Sequence, residues 1–190
     1  GSGLVSAVAT GMVDITATSE GVTDSKTVVV TMWKEYAAGQ KFSCGRLSNG
    51  EGFCWGDNTN GQLGDGSTGG TVSSPTAIDT TERFDDIAAG YFHACGITQS
   101  AGMLCWGYGL NGALGDGQGT DSASPVSVSG AYQWVQVSLG ANHTCAIDSN
   151  DDMYCWGVDE FGRLGDGPNR SDRLSPTIVA TGKSWSDVSA

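Results

Sequence analysis

Cys54-Trp55-Gly56, Cys105-Trp106-Gly107 and Cys155-Trp156-Gly157 are three copies of one tripeptide, separated by 51 and 50 residues. A period of this length indicates one supersecondary unit copied along the chain, because such a unit buries its apolar face only against its neighbours. The repeat therefore governs the prediction of the fold. Residues that recur with it are expected to serve the architecture before they serve any chemistry.

Other motifs recur in the same order around the tripeptide. A Gly-x-Leu-Gly-Asp-Gly sequence follows it at residues 61–66, 112–117 and 162–167, and a Ser-Pro pair follows at 74–75, 124–125 and 175–176. Segments such as 135–139 and 144–147 are short, mix β-branched with other apolar residues, and end at turn-forming residues, which indicates strands. No stretch keeps a helical apolar period over three turns. About four short strands in each unit of roughly 50 residues predict a blade of a β-propeller.

These units resemble the regulator-of-chromosome-condensation repeats, a family that builds seven-bladed propellers. The resemblance covers residues 33–190 and implies an all-β fold with a partial propeller. We expect three repeats, at residues 33–83, 84–133 and 134–184, and the start of a fourth at 185–190. The Cys-rich form of the repeat is similar to versions found in secreted bacterial proteins.

Residues 1–32 lack the repeat motifs and alternate small apolar with polar residues, as in Val13-Asp14-Ile15-Thr16. This segment resembles the last strands of a bacterial immunoglobulin-like group 2 domain, which implies the end of a β-sandwich. Strand candidates lie at 4–11, 13–18 and 22–30. Because three repeats fall short of a seven-bladed ring, we expect either a piece of a longer protein or open ends that meet other copies.

The charge of the chain argues against nucleic acid as a partner. The formal net charge is −12, the pI is near 4.2, and only nine Lys and Arg are present. A protein that binds a phosphate backbone is expected to carry a basic patch. No run of residues is long and apolar enough to predict a membrane span.

All six cysteines fall into three pairs, and the members of each pair are ten residues apart, with a turn-rich centre between them. In a hairpin with a loop of this length the two cysteines of a pair face each other across the strands, close enough for a disulfide. Disulfides predict an oxidising compartment, hence a secreted or cell-surface protein. Zinc is disfavoured, since two Cys and one His per unit leave a site incomplete. The predicted pairs are Cys44–Cys54, Cys95–Cys105 and Cys145–Cys155.

The two histidines, His93 and His143, lie two residues before a central cysteine of their repeats. Neither has a neighbouring Ser or Asp that recurs in a triad-like arrangement, and no nucleophile elbow or metalloprotease motif is present. We expect packed histidines that are hydrogen-bonded to the backbone. The prediction is that the chain is not an enzyme.

An aspartate ends the Leu-Gly-Asp turn of every repeat and is expected to bond backbone N–H groups. The alternative role is calcium binding, which needs six to eight oxygen ligands. No cofactor is predicted, and metal binding is the disfavoured reading of these residues. The aspartates that could contribute to a calcium site are Asp57, Asp65, Asp159 and Asp166.

The tryptophans of the repeated tripeptide are expected to fill the space between blades. Aromatic and basic residues that break the repeat are better candidates for binding, because the loops of a propeller carry recognition while its strands build the ring. These candidate contact residues are Tyr91, Phe92, Tyr108, Phe161, Arg170 and Arg173.

We therefore expect a non-catalytic extracellular module that presents a propeller surface for protein or cell-surface binding. One alternative is a secreted inhibitor that binds an enzyme through loops on one propeller face, as one secreted member of the propeller family does with β-lactamase. Aromatic residues concentrated on one rim would favour it. Another alternative is self-assembly, in which the opening strand at 185–190 adds to the sheet edge of another copy.

Overall fold

A computed structural model of the chain describes residues 11–19, 22–168, 170–179 and 182–190, and for residues 11–19 and 22–30 it describes the backbone alone. Strands β1 (Gly11–Ser19) and β2 (Val22–Val30) form an antiparallel hairpin in which Gly11 pairs with Val30. The strand candidate at 4–11 lies, except for its last residue, outside the described residues. A two-stranded hairpin occurs in many β folds, so the immunoglobulin-like assignment stays a prediction.

Three antiparallel sheets of four strands follow, each with its strands in chain order. Sheet 1 consists of β3 (Trp33–Ala38), β4 (Phe42–Leu47), β5 (Gly52–Asp57) and β6 (Thr71–Ala77). Sheet 2 consists of β7 (Phe84–Ala89), β8 (His93–Thr98), β9 (Met103–Gly107) and β10 (Ser122–Ser127). Sheet 3 consists of β11 (Trp134–Leu139), β12 (His143–Asp148), β13 (Met153–Gly157) and β14 (Arg173–Ile178). Short 3₁₀ helices at Leu110–Gly112 and Glu160–Gly162 lie between the third and fourth strands of sheets 2 and 3. The all-β partial propeller predicted from the repeat is thereby confirmed.

The first strands of consecutive sheets contact each other, β3 with β7 and β7 with β11, as neighbouring inner strands of a propeller do. The apolar core lies between the sheets. One cluster joins sheets 1 and 2 and includes Leu63, Phe84 and Trp106, while a second joins sheets 2 and 3 and includes Leu114 and Trp156. Because each unit buries its apolar face against its neighbour, the sheets stabilise one another rather than folding around separate cores.

Two of the three repeated tryptophans, Trp106 and Trp156, fill the space between sheets as the sequence predicts, whereas Trp55 is partly exposed. The indole N–H of Trp106 donates to the carbonyl of Gln62 in sheet 1 at 3.1 Å, and that of Trp156 donates to the carbonyl of Ala113 in sheet 2 at 3.1 Å. Both rings are completely buried. Each tryptophan therefore buries a large apolar ring and also satisfies its one polar group.

The three predicted cysteine pairs are disulfides in the structure: Cys44–Cys54, Cys95–Cys105 and Cys145–Cys155. In each pair the two cysteines are directly opposed in the register of the second and third strands, with Cα atoms 4.0–4.1 Å apart. Closing such a small loop stabilises a fold by roughly 2–3 kcal/mol in the chain-entropy description. Three buried disulfides indicate that the protein folds in an oxidising environment.

Residues 185–190 lie against sheet 3, but they form no strand, contrary to the prediction of an opening strand. Trp185 and Val188 pack on the cluster around Cys145 and Cys155, and the side-chain amide of Gln136 donates to Asp187 at 2.7 Å. An inner strand of a propeller hydrogen-bonds to the next strand of its own sheet. No described strand pairs with residues 185–190, so the segment has the packing of a first strand without its ladder.

The strand order defines two rims. The loop rim carries the turns between the first and second strands (residues 39–41, 90–92 and 140–142) and the long loops between the third and fourth strands (58–70, 108–121 and 158–172). The hairpin rim carries the turns between the second and third strands (48–51, 99–102 and 149–152). No helix among the described residues is both long and apolar enough to cross a membrane.

Candidate functional site

Three of the predicted contact residues form one aromatic cluster on the loop rim of sheet 2. The ring centres of Tyr91 and Phe92 are 6.1 Å apart, and those of Phe92 and Tyr108 are also 6.1 Å apart. The two loops are held together because the backbone N–H of Tyr108 donates to the carbonyl of Phe92 at 2.9 Å. Tyr91 is 51% exposed, so the cluster presents an aromatic surface to solvent. Edge-to-face aromatic groups of this kind are common anchors of protein interfaces.

Phe161 lies on the same rim in sheet 3 and is 80% exposed. Its backbone is left-handed, with φ 64° and ψ 11°, a conformation that costs a bulky residue free energy and that asparagine tolerates. Asn111 occupies the equivalent position of sheet 2 with φ 62°. Sheet 3 therefore holds an exposed aromatic ring at a position whose backbone favours asparagine, and backbone strain at an exposed position points to a role outside folding.

The two predicted arginines have different environments. Arg170 is exposed on the long loop of sheet 3. The guanidinium of Arg173 donates from Nε to Asp166 at 2.6 Å and is 23% exposed. Arg173 is thus paired with an aspartate of the preceding loop, whereas Arg170 is exposed on that loop, which also carries Phe161. The candidate contact surface is therefore defined by Tyr91, Phe92, Tyr108, Phe161 and Arg170, and we call it the aromatic rim.

Neither histidine has the surroundings of a catalytic base. His93 is completely buried, and its Nε2 lies 2.9 Å from the hydroxyl of Thr144 in sheet 3, so it bonds a side chain rather than the backbone expected from the sequence. Burial lowers the pKa of His93 to about 3, with a smaller contribution from His143. Burial, and then the charge of Arg163, also lowers the pKa of His143. Both imidazoles are therefore neutral at pH 7.

The acidic loop residues of sheet 1 are satisfied by the protein itself. Asp57 accepts hydrogen bonds from Thr59 and from the side chain of Gln62, and Asp65 accepts them from Ser67 and Asn58. Burial raises the pKa of Asp65, but the hydrogen bonds from Ser67 and Asn58 outweigh it and leave that pKa below its usual value. Within the described parts of the chain, no three His, Cys, Asp or Glu side chains are grouped so that they could hold a metal ion. Their counterparts in sheet 3 differ, since Asp159 and Asp166 each have one buried carboxylate oxygen with no hydrogen-bond partner among the described residues.

Two carboxylates on the first strands were not among the predicted site residues. Asp86 in β7 lies beside Glu35 in β3, and the pKa of Asp86 is raised by burial first and then by the negative charge of Glu35. Arg46 donates to Glu35 at 3.1 Å and offsets part of this charge. The two acids are 51 residues apart, which is one repeat period. They therefore occupy the same position on neighbouring first strands, and the period could have predicted that they lie close together.

An apolar groove on the outer face of sheet 1 was also not predicted from the sequence. It has a volume of about 340 Å³ and is lined by Trp33, Tyr36, Trp55 and Pro75. Tyr36 is 77% exposed, and Trp33 and Trp55 meet edge to face with their ring centres 5.7 Å apart. Trp55 occupies the repeat position at which Trp106 and Trp156 are covered by a preceding sheet. The groove is therefore the face on which another blade would pack.

The sequence model of the regulator of chromosome condensation (RCC1) repeat matches residues 49–97 and 102–147, half of the chain. A second model of the same repeat matches residues 35–62, 84–113 and 134–163. The second set of matches follows the three sheets, whereas each match of the first set runs from one sheet into the next. The chain belongs to the RCC1 repeat family.

This chain spans less than half of the length of the known proteins to which it is similar. The ultraviolet-B receptor UVR8 of Arabidopsis thaliana is 37% identical over 90 residues, which are 46% of this chain and 20% of the receptor. The crystal structure of human WBSCR16 has a TM-score of 0.71 at 19% identity, covering 80% of this chain and 40% of that one. Prp20p from Saccharomyces cerevisiae, whose structure was described with its binding to Gsp1p and histones, has a TM-score of 0.69 at 23% identity, covering 79% and 39%. At these identities the structural neighbours show the shared fold alone.

Proposed function

We propose that this chain is a non-catalytic, protein-binding propeller segment of a secreted or cell-surface protein, and that the aromatic rim is its contact surface. The observation that carries the proposal is the exposed ring of Phe161 in a left-handed backbone conformation, on the same rim as the cluster of Tyr91, Phe92 and Tyr108. A ring that is exposed at a cost to the fold is best explained by a contact with a partner.

The residues at the equivalent positions of the other repeats support this assignment. Tyr91 corresponds to Gln40 in sheet 1 and to Ala141 in sheet 3, and Phe161 corresponds to Asn60 and Asn111. The architecture therefore accepts small or polar residues at these points, so the aromatic rings are not needed to build a sheet. Loops that vary on a repeated scaffold are the usual carriers of recognition.

The relatives and the disulfides support the kind of partner and the compartment. Propellers of this family bind proteins, as the yeast structure described with Gsp1p and histones illustrates. Three buried disulfides favour an extracellular location, and the charge of −12 disfavours nucleic acid. An immunoglobulin-like spacer before the repeats would be consistent with a bacterial surface protein or adhesin.

Photo-crosslinking tests the proposal at single positions. A benzophenone amino acid is placed at position 161 or 91, and the same amino acid at position 99 on the hairpin rim serves as the control. Each protein is irradiated with the extracellular protein fraction of the source organism. We expect an adduct of one discrete mass from positions 161 and 91 and none from position 99. Adducts of equal yield from both rims, or from neither, would overturn the assignment.

The repeat supplies matched variants for the same experiment. Tyr91→Ala and Phe161→Asn each introduce the residue that a sister repeat carries at that position, so the fold is expected to be retained. Both variants should weaken binding to the crosslinked protein at least tenfold, whereas Gln99→Ser, which copies Ser149 of sheet 3, should leave binding unchanged. If the captured protein is an enzyme, inhibition of its activity by the wild-type chain would identify an inhibitor.

A second candidate function is assembly, favoured by the groove of Trp33, Tyr36, Trp55 and Pro75. The occupant that fits it is another blade, because Trp106 and Trp156 show how the equivalent faces are covered. Light scattering across concentrations tests whether copies of this chain associate. Tyr36→Lys places a charge in the groove and should abolish any association, while a constant monomer mass of the wild type would remove this candidate.

A further inference from the structure

The long loop of sheet 1 is organised around a buried asparagine. Asn58 is 1% exposed, and its Oδ1 accepts a hydrogen bond from the backbone N–H of Leu63 at 3.1 Å. Its Nδ2 donates to Asp65 Oδ1 at 3.2 Å. The same carboxylate oxygen also accepts hydrogen bonds from the backbone N–H and the hydroxyl of Ser67, at 3.0 Å and 2.7 Å. Three donors thus converge on one oxygen of Asp65.

Sheet 3 has the same loop with every one of these donors removed. Asp159 replaces Asn58, Asp166 corresponds to Asp65, and Pro168 replaces Ser67. A carboxylate has no amide protons, and proline has neither a backbone N–H nor a hydroxyl. The position of the first residue is nevertheless conserved between the repeats, because Asp159 Oδ1 accepts a hydrogen bond from the N–H of Leu164 at 3.0 Å, as Asn58 does from Leu63.

The consequence is a pair of buried carboxylate oxygens without hydrogen-bond donors. Asp159 is completely buried, and the side chain of Asp166 is 2% exposed. Asp159 Oδ2 and Asp166 Oδ1 have no hydrogen-bond partner among the described residues. The correspondence with sheet 1 places Asp159 Oδ2 where the amide nitrogen of Asn58 lies, facing the oxygen of Asp166.

The charges around the pair do not balance. Arg173 binds the other oxygen, Oδ2, of Asp166, so one guanidinium stands against two buried carboxylates. Of the other charged side chains on this loop, Arg163 is paired with Glu160 and Arg170 is exposed. Asp172 accepts a hydrogen bond from the backbone N–H of Asp159 at 2.9 Å. An unpaired buried charge is strongly unfavourable, and such charges in proteins are paired or coordinate a metal ion.

We propose that Asp159 Oδ2 and Asp166 Oδ1 bind a hard divalent cation of the calcium class. In sheet 3 this cation would have the role that the side-chain amide of Asn58 has in sheet 1. The two ligands are carboxylate oxygens, which Ca²⁺ prefers, and the loop offers no sulfur or imidazole ligand within the described residues. Because two carboxylates are few and Arg173 opposes binding, the site is weak. A dissociation constant on the order of 10⁻⁴–10⁻³ M is characteristic of extracellular modules.

The same comparison restricts the site to sheet 3. In sheet 1 the amide group of Asn58 already satisfies Asp65. In sheet 2 the position of Asn58 is Gly109, which has no side chain, so no carboxylate takes the place of Asp159 there. One cation per chain is therefore expected.

Thermal unfolding and calorimetric titration with CaCl₂ test the proposal on the whole chain, after dialysis against a chelator. For a dissociation constant of ~1 mM, about 10 mM CaCl₂ should raise the midpoint of unfolding by roughly 3–5 °C above that in NaCl of equal ionic strength. Titration should give one site per chain. The variant Asp159→Asn restores the sheet 1 residue, so it should be more stable than the wild type without calcium and should lose the response to calcium. Asp116→Asn, in the loop of sheet 2, should leave the response intact.

Two results would overturn the cation site. The first is an equal response to calcium in the wild type and in Asp159→Asn, which would place the binding elsewhere. The second is a midpoint of unfolding of the wild type that does not change with calcium. In one form of this result, lowering the pH raises the midpoint of the wild type relative to that of Asp159→Asn. That case would show that a proton, and not a metal ion, is shared by the pair.

Discussion

His93 in sheet 2 donates its Nε2 proton to the hydroxyl of Thr144 in sheet 3 across 2.9 Å. The direction of this bond follows from the second contact of the hydroxyl, which donates its only proton to the carbonyl of Ala113 at 3.0 Å. The imidazole is completely buried and its Nδ1 has no partner, so it cannot accept a second proton at low cost. Protonation at Nδ1 would leave the Nε2–H bond in place, but it would put an unpaired positive charge in the core between the two sheets.

Acid is therefore expected to destabilise the fold. The pKa of His93 is about 3 in the folded protein, because of burial, against about 6.5 in the unfolded chain. Between these values the unfolded state binds more protons than the folded state, so the free energy of unfolding rises with pH. The contribution of His93 to stability is fully present above pH 6.5. We expect a loss of about 2 kcal/mol between pH 7 and pH 5 from this residue. Urea denaturation across that pH range measures it.

The variant His93→Phe isolates this contribution, since Phe42 occupies the same repeat position in sheet 1 and is 3% exposed there. The variant should show a pH dependence of stability that is weaker by about one proton. The lowered pKa of His143 acts in the same direction and remains in the variant. Parallel pH profiles for the wild type and His93→Phe would contradict the assignment.

Asp86 has the opposite effect on the pH profile. Burial and the neighbouring Glu35 raise its pKa, so the folded state binds more protons than the unfolded one above pH 3.8, and stability falls as pH rises through the raised value. Asp86→Gln copies Gln136 of sheet 3. The variant removes a buried charge that also repels Glu35, so it should stabilise the protein at pH 7 by about 0.2–1 kcal/mol, the size of a cross-strand pair interaction, and the gain should vanish in acid. Asp85→Asn, one exposed residue away, controls for net charge, and an equal gain there would refute the role of the Glu35–Asp86 pair.

The repeat explains why so much of the fold was predictable. The spacing of Cys145 and Cys155 predicts a hairpin and its register, and the structure pairs these two residues directly. The position of Trp106 between sheets follows from its recurrence beside a cysteine. Features that depend on one repeated unit, or on the packing of identical units, can be derived from the period alone.

Features that depend on differences between repeats were less accessible. The motif predicts the loop aspartates. The oxygens of Asp159 and Asp166 lack donors because Asp159 replaces Asn58 and Pro168 replaces Ser67, which becomes evident only when each donor of the loop is counted. The strand predicted at 185–190 is absent from the structure. A strand needs a hydrogen-bonded neighbour as well as a suitable sequence, and no described strand pairs with this segment. Local pattern predicts the element, whereas satisfaction of its polar groups depends on the neighbours.

Phe161 should be replaceable with a gain in stability. Its left-handed backbone suits asparagine, which Asn111 supplies in sheet 2. Phe161→Asn is expected to raise the free energy of unfolding by about 1 kcal/mol, and the reciprocal variant Asn111→Phe to lower it similarly. Thermal unfolding of both variants measures the difference. A loss of stability in Phe161→Asn would mean that the exposed ring contributes to folding, which would weaken its assignment to a contact surface.

Trp55 and Trp106 occupy the same repeat position, but only Trp106 is covered by a preceding sheet. Trp106 is completely buried and donates to Gln62, whereas Trp55 lines the open groove. Trp106→Ala should cost about 3–5 kcal/mol, because it leaves a cavity in the core between sheets 1 and 2, and Trp55→Ala should cost less than half as much. Urea denaturation of both variants measures the costs, and Trp106→Phe preserves the comparison if the alanine variant does not fold. Equal costs would mean that the outer face of sheet 1 is covered in solution as the inner faces are, which is the result expected if another copy of this chain docks there.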